Sequence, residues 1–128
     1  MRLAPGTKVD RYVVEGLLGS GGMAEVYAVR HATLGSHAAL KVLTVRSDVL
    51  QQRLVREGRA QAMLHHPNVV RVLDLVDVDG APGLVMERVD GPTLQQVLEG
   101  GPLLPDRVER LARGLLLGLG EAHRLGIV

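Results

Sequence analysis

A cluster of glycines near the start of the chain has the spacing of a loop that binds a ligand. Gly19, Gly21 and Gly22 fall within four consecutive positions. Because glycine has no Cβ, the backbone there can turn sharply and direct bare N–H groups at a phosphate. The flanking stretches 12–18 and 24–31 predict two β-strands. A dinucleotide-binding loop needs a helix after its glycines and a P-loop needs Gly-Lys-Ser/Thr, which leaves a glycine-rich turn between strands or a plain hairpin turn.

A lysine and a glutamate further along could supply the charges of such a site. Of the 15 basic residues 13 are Arg and 2 are Lys, yet Lys41 lies inside the apolar stretch 38–43. This stretch belongs to a predicted third strand over residues 37–43. Glu57 shares an apolar stripe with three leucines of a predicted helix over residues 47–64, so we expect it to point inward. A carboxylate there needs a cation, and Lys41 is placed to supply it. The alternatives are a strand lysine that extends to water and a solvated glutamate.

The elements around these residues predict an α+β fold. Five strands are expected between residues 12 and 89, with one helix after the third strand and the turn Asp79-Gly80 between the last two. These strands are too closely linked for repeated βαβ crossovers, which favours a mostly antiparallel sheet with one packed helix. Helices are expected to follow over residues 93–99 and 105–125. Residues 1–11 are expected to form a lead-in.

The composition excludes several classes of function. The formal net charge is +1, which argues against a nucleic-acid partner. The chain has no Cys, which fits a reducing cytoplasm, and no apolar run reaches the length of a membrane span. His65 and His66 are adjacent and have no further ligands at zinc spacing, so we expect no metal site in this segment.

Three motifs, in this order along the chain, resemble the serine/threonine protein kinase family of bacterial type. Residues 18–26, Leu-Gly-Ser-Gly-Gly-Met-Ala-Glu-Val, are similar to the nucleotide-covering loop Gly-x-Gly-x-x-Gly-x-Val, with Ala24 at the third glycine. Residues 38–41, Ala-Ala-Leu-Lys, are similar to the Val-Ala-Ile-Lys strand. Residues 83–91 look like the fifth strand and hinge. The resemblance extends from about Tyr12 to Val128.

The resemblance implies two lobes and a phosphotransfer reaction. Residues 12–89 would form the small lobe and hinge of a kinase domain, and residues 90–128 would begin its large lobe. The complete enzyme would transfer the γ-phosphoryl group of ATP to a Ser or Thr hydroxyl of a protein substrate. The family's catalytic Asp and Mg²⁺ ligands belong to His-Arg-Asp and Asp-Phe-Gly, which do not occur in residues 1–128, so we expect these residues alone to be catalytically inactive. The alternatives are a non-catalytic module that binds a nucleotide or a partner, and a gene fragment.

The resemblance also implies which residues bind ATP. Lys41 would meet the α- and β-phosphates, and Glu57 would hold the lysine in place. Met86 would lie beside the adenine ring, and the backbone of Glu87 and Val89 would hydrogen-bond its edge. The full set of expected nucleotide-binding residues is Leu18, Gly19, Ser20, Gly21, Gly22, Val26, Ala39, Lys41, Glu57, Met86, Glu87 and Val89.

The last predicted helix, over residues 105–125, carries an apolar face with helical spacing. Its members are Val108, Leu111, Ala112, Leu115, Leu119 and Ala122. By resemblance, later segments of a kinase would bury this helix. For residues 1–128 alone we therefore expect this face to be hidden by self-association, by pairing with another kinase lobe, or by aggregation.

Overall fold

Six antiparallel strands make up one sheet in the computed structural model, which describes residues 2–128. In chain order they are β1 (Lys8–Val9), β2 (Tyr12–Ser20), β3 (Ala24–His31), β4 (His37–Leu43), β5 (Val72–Val78) and β6 (Ala81–Met86). Their order across the sheet is β1-β2-β3-β4-β6-β5. The expected α+β fold with an antiparallel sheet and one packed helix is confirmed. The sequence predicted five strands, and the additional one is β1. It pairs with the start of β2 and lies within residues 1–11, where the sequence predicted only a lead-in.

The core lies along one face of this sheet and is mostly aliphatic. Its buried members are Val9, Tyr12, Val14, Tyr27, Val29, Ala38, Leu40, Val76, Val78 and Val85. They alternate along β2, β3 and β4 because successive residues of a strand point to opposite faces. The residues between them in sequence, such as Val26, Ala39 and Lys41, therefore lie on the opposite face of the sheet.

One helix, α1 (Asp48–Ala62), packs on the sheet. It begins as predicted, because the Ser47 hydroxyl accepts a hydrogen bond from the Leu50 N–H at 3.3 Å. Its buried residues are Leu54 and Gly58. A Cβ at Gly58 would lie 2.5 Å from Leu84 Cδ2 of β6, so a glycine allows the helix to approach the strand this closely.

The β5–β6 hairpin follows the turn chemistry of its sequence. Asp79 and Gly80 have φ angles of 50° and 85°, the left-handed values that a tight hairpin turn requires. Two residues into β6, Gly83 faces the core, where a Cβ would lie 2.9 Å from Val78 Cγ2 and 3.0 Å from Leu40 Cδ1. The close packing of the hairpin on β4 therefore depends on a glycine at this position.

The chain divides into two compact units. The first runs to Met63 and includes Arg71–Arg88, so it contains the sheet and α1. The second comprises Leu64–Val70 and Val89–Val128. Segment 64–70, although it lies between α1 and β5 in sequence, belongs to the second unit.

The second unit consists of two helices and the segment 64–70. Helix α2 (Leu94–Glu99) begins with a capping box between Thr93 and Gln96, and α3 (Pro105–Arg124) begins with proline in its first turn. Two glycines let α3 lie close to segment 64–70. The Asn68 side-chain amide donates to the Gly114 carbonyl at 3.1 Å, and a Cβ at Gly118 would lie 3.1 Å from the Asn68 carbonyl oxygen.

None of the helices in residues 2–128 combines the length and the apolar character that a membrane crossing requires.

Candidate functional site

The glycine-rich turn between β2 and β3 is open on the side where a ligand could approach. Its hydrogen bonds are the Gly21 N–H to the Ala24 carbonyl at 2.8 Å and the Thr44 N–H to the Met23 carbonyl at 2.9 Å. Gly19 and Gly22 do not have positive φ angles, and a Cβ on either would meet no atom within 4 Å. The fold itself therefore does not require glycine at these two positions. Bare backbone at an open turn is what close contact with a phosphate needs.

The sheet register places four of the predicted site residues on one face. Val26 of β3 is directly opposite Lys41 of β4, and Ala39 of β4 is directly opposite Met86 of β6. Directly paired residues share a face, and so do residues two apart on one strand. These four side chains consequently form one patch beside the glycine-rich turn, because Gly19 pairs with Val26. We call this patch, together with residues 18–22, the nucleotide face.

Lys41 is half-buried on the nucleotide face and has no ion-pair partner among the described residues. Its neighbour across β3 is Val26 and its neighbour across β6 is Leu84, both apolar. An ammonium group held among apolar neighbours is available to an incoming anion. The sequence predicted that Lys41 is not simply a strand lysine that extends to water, and its half-buried position among apolar neighbours agrees with that prediction.

The expectation that Glu57 points inward is wrong in this structure. The Glu57 side chain is 56% exposed, and its Oε1 accepts a hydrogen bond from Arg53 Nε at 2.8 Å. The buried line of α1 runs through Leu54 and Gly58, so Glu57 falls at its flank. Arg53 lies one turn earlier on the same side of the helix and supplies a cation locally.

The residues expected to contact adenine are Leu18 of β2, Met86 at the end of β6, and Glu87 and Val89 just beyond it. The Glu87 N–H donates to the Arg71 carbonyl at 2.9 Å, and the Arg71 N–H donates to the Glu87 carboxylate at 3.2 Å. Because its N–H is engaged, the Glu87 backbone could bind a ligand through its carbonyl oxygen. Met86 is half-buried, Leu18 is 48% exposed, and Val89 is exposed and belongs to the second unit.

A buried carboxylate beside the glycine-rich turn was not predicted. Glu25 is directly opposite Ser20 in the β2–β3 ladder and is 7% exposed. It accepts a hydrogen bond from the Tyr27 hydroxyl and another from Arg2 Nε at 3.1 Å, while the Leu3 N–H donates to the Tyr27 oxygen at 3.1 Å. This Glu25–Tyr27 cluster fixes the first residues of the chain to the base of the turn. The available signal was the alternation of β3, which puts Glu25 on the core side with Tyr27.

The pKa values of the cluster are shifted by these contacts. The hydrogen bond from Tyr27 lowers the pKa of Glu25, and Arg2 lowers it further, against the opposing effect of burial. Burial and the hydrogen bond to Glu25 raise the pKa of Tyr27. Glu25 is accordingly charged, and Tyr27 neutral, across the physiological range.

The fold and the nucleotide face together define the small lobe of a protein kinase. A sequence model of the protein kinase domain matches residues 12–128. The chain therefore belongs to the protein kinase family, as the motifs predicted, and its relatives are bacterial serine/threonine kinases.

Two curated relatives illustrate the similarity. A probable serine/threonine-protein kinase of Streptomyces coelicolor is 41% identical over 126 residues, which cover 92% of this chain and 19% of the relative. A serine/threonine-protein kinase of Myxococcus xanthus, pkn2, is 39% identical over 133 residues, covering 98% of this chain and 16% of the relative.

The fold is also that of a solved kinase domain. The crystal structure of the Mycobacterium tuberculosis PknI kinase domain has a TM-score of 0.82 and 32% sequence identity, covering 98% of this chain and 53% of that chain. The 128 residues thus span about half of a solved kinase domain and less than a fifth of either curated relative.

Proposed function

We propose that this chain supplies the nucleotide-binding part of a kinase that transfers the γ-phosphoryl group of ATP to Ser or Thr hydroxyls of a protein substrate. The observation that carries the proposal is the nucleotide face, where Lys41 lies beside an open glycine-rich turn without an internal partner. Membership of the protein kinase family supports the same reading.

Each part of the nucleotide face has a role in this proposal. The Gly21 N–H is already bonded to the Ala24 carbonyl, so the free backbone N–H groups of the glycine-rich turn and the ammonium of Lys41 hold the phosphates. Val26 and Ala39 supply an apolar surface for the adenine ring, and the small side chain of Ala39 leaves room for it. Leu18 covers the ring, Met86 bounds it, and the Glu87 carbonyl bonds to its edge.

Glu57 can exchange its partner at little cost. Its contact with Arg53 is an exposed pair one helical turn apart, and such pairs contribute only about 0.3–0.5 kcal/mol. We propose that Glu57 pairs with Lys41 in the active kinase, which requires α1 to turn or shift. The nucleotide and the rest of the kinase domain would supply the free energy for that change.

Phosphotransfer and metal binding need groups outside these residues. His-Arg-Asp and Asp-Phe-Gly do not occur in residues 1–128. We propose that Mg²⁺ is held by segments of that kind elsewhere in the kinase, and that residues 1–128 alone bind ATP without transferring phosphate. The proposed setting is the cytoplasm, where a chain without Cys and with an ATP site would work.

We also propose that residues 1–128, taken alone, associate through α3. Its apolar side chains are largely exposed, as for Leu111 at 45%, Leu115 at 62% and Leu119 at 44%. A contiguous apolar face of this kind is buried in stable proteins.

A calorimetric titration tests the proposed ATP site. The variant Lys41→Met should bind ATP at least about tenfold more weakly than the natural sequence, since a hydrogen bond to a charged group contributes about 1.5–3 kcal/mol. Lys8→Met is the matched control, because Lys8 is the other lysine, is exposed, and lies on β1. Equal ATP affinity for Lys41→Met and Lys8→Met would remove Lys41 from the site. No detectable ATP binding by the natural sequence would favour a module that binds a partner instead.

A further inference from the structure

The first residues of the chain connect the two strands that flank the glycine-rich turn. We call residues 2–7 the N-terminal strap. One end is attached to β2, where the Gly6 N–H donates to the Val14 carbonyl at 2.7 Å and the Val14 N–H donates to the Thr7 carbonyl at 2.9 Å. The strap also turns on itself, because the Thr7 hydroxyl donates to the Ala4 carbonyl at 2.6 Å. The path of the strap on β2 is therefore fixed by hydrogen bonds.

The other end of the strap is attached to β3, next to the turn. Arg2 Nε donates to the Glu25 carboxylate at 3.1 Å, and the Leu3 N–H donates to the Tyr27 hydroxyl at 3.1 Å. The Leu3 side chain is half-buried and packs against the hydrophobic core. Because Glu25 is directly opposite Ser20, the last residue of β2, this attachment lies at the base of the turn.

The sheet is less regular on one side of the turn than on the other. Between β2 and β3 the register shifts twice within residues 14–19. Between β3 and β4 it runs without a shift over residues 24–30. A shift of this kind interrupts the ladder and lets the strand bend. The β3 side therefore sets the position of the turn, and Arg2 and Leu3 are attached to that side.

The hydrogen bonds of the turn end directly beside Glu25. The Gly21 N–H donates to the Ala24 carbonyl, and the Thr44 N–H donates to the Met23 carbonyl. Met23 and Ala24 immediately precede Glu25, so a displacement of Glu25 moves both carbonyls and the turn with them. The Glu25 side chain is only 9% exposed, and a carboxylate so nearly buried depends on the donors that surround it.

We propose that the N-terminal strap positions the glycine-rich turn for phosphate binding, a role that rests on the proposed ATP site. Arg2, Glu25 and Tyr27 are its positioning residues. Glu25 and Tyr27 lie on the opposite face of β3 from Val26, so they act on the nucleotide face through the strand. The Arg2 side chain is 69% exposed, so its bond to Glu25 is the attachment that opens most readily. Release of the strap from β3 lets the turn move and weakens nucleotide binding.

Amide hydrogen exchange, measured by ¹⁵N NMR on residues 1–128 without nucleotide, tests the strap by itself. The two reporters are the Gly21 and Thr44 amides, whose hydrogen bonds hold the turn. The reference is the Ala32 amide, which donates to the Arg11 carbonyl at 2.8 Å beyond the far end of β3. Arg2→Ala should accelerate exchange at both reporters about threefold to tenfold and leave the reference unchanged, because a local contact controls local opening. Arg2→Lys should behave nearly as the natural sequence, since it keeps the positive charge.

Tyr27→Phe is the second variant, because it removes the hydroxyl that joins Leu3 to Glu25 and keeps the buried ring. It should accelerate exchange at the two reporters about tenfold. Arg30→Ala is the matched control. It removes the same charge from β3, at an ion pair with Glu15 that lies away from the turn, and should change neither reporter.

A calorimetric titration with ATP and Mg²⁺ tests the connection to the site. Arg2→Ala should bind ATP at least about threefold more weakly than the natural sequence, because a displaced turn makes poorer hydrogen bonds to the phosphates. Arg30→Ala should bind ATP as the natural sequence does.

Three results would each overturn the proposal. They are unchanged exchange at the reporters in Arg2→Ala, equal acceleration of the reporters and the reference, and equal ATP affinity in Arg2→Ala and Arg30→Ala. A natural sequence that binds no ATP, while Arg2→Ala still accelerates exchange at the reporters, would overturn the proposed function and support the hold of the strap on the turn.

Discussion

At the scale of single residues, the sequence predicted the surroundings of Lys41 better than those of Glu57. Lys41 stood out because an arginine-rich chain places a lysine inside an apolar strand, and strand register then fixed which face it occupies. Glu57 could not be assigned in the same way. A helical stripe defines a face only to within one position, and Glu57 falls just outside the line of Leu54 and Gly58.

Glu25 gives a prediction at this scale that concerns pH. Its pKa in the folded protein lies below the ordinary glutamate value of about 4.3, so the stabilisation it gives is complete above that pH. The stabilisation is lost as the pH falls from the unfolded-state pKa through the lowered folded-state pKa. In that range the unfolded chain binds a proton at Glu25 before the folded chain does, and this proton binding favours unfolding. Glu25→Gln should therefore show a smaller loss of stability between pH 7 and pH 3 than the natural sequence. Urea unfolding at both pH values measures this.

Glu15→Gln is the control for that measurement, because it removes a glutamate of β2 that is not buried. The Glu15 side chain is 38% exposed and lies beside His37. Equal losses of stability on acidification for Glu25→Gln and the natural sequence would contradict the role given to Glu25. A change of the pH profile in Glu15→Gln as large as that in Glu25→Gln would contradict it as well.

At the scale of elements, most of the fold could be predicted because its signals are local. The turn at Asp79-Gly80, the Ser47 cap and the alternation of β3 each depend on neighbouring residues. Strand β1 was missed because two residues carry no periodic pattern, and it exists only through pairing with β2. The assignment of segment 64–70 to the second unit depends on contacts distant in sequence, which local patterns do not encode.

Gly83 carries a prediction about the packing of β6 on the core. A methyl group added there would lie 2.9 Å from Val78 Cγ2 and 3.0 Å from Leu40 Cδ1. Overpacking of this kind costs about 1–3 kcal/mol, so Gly83→Ala should lower the free energy of unfolding by that amount. The control is Gly16→Ala on β2, where a Cβ meets no atom within 4 Å and the change should stay within about 0.5 kcal/mol. Equal effects of the two variants in chemical denaturation would contradict the packing described for the hairpin.

Helix α3 carries a second prediction at the scale of elements. Burying one aliphatic side chain contributes roughly 1.5–3 kcal/mol, so the exposed leucines of α3 favour association of residues 1–128. The double variant Leu115→Glu/Leu119→Glu should shift the chain towards the monomer, because charges on this face oppose its burial. Light scattering at several concentrations measures the change. If the natural sequence is monomeric at every concentration, the apolar face of α3 does not cause association, and the prediction is wrong.

At the scale of the whole molecule, the proposed site is built on the sheet, and α1 is the element that the proposed Lys41–Glu57 pairing would have to move. The nucleotide face is built on three strands joined by continuous ladders, so its geometry is fixed by backbone hydrogen bonds. Helix α1 rests on β6 through a glycine and its Glu57 is held by an exposed pair. The proposed pairing of Glu57 with Lys41 therefore requires a shift of α1 and no change in the sheet.

The most direct test of the central claim is to map ATP on the chain by ¹⁵N NMR. Titration of residues 1–128 with ATP and Mg²⁺, in the Leu115→Glu/Leu119→Glu background if association broadens the spectrum, reports every backbone amide at once. If ATP binds at the nucleotide face, the largest shifts occur at the amides of residues 19–26 and 39–41 and around Glu87, with little change at Arg56, Arg59 and Leu75. Largest shifts on α1 and the β5–β6 hairpin, or shifts spread evenly over the sheet, would contradict the assignment of the nucleotide face.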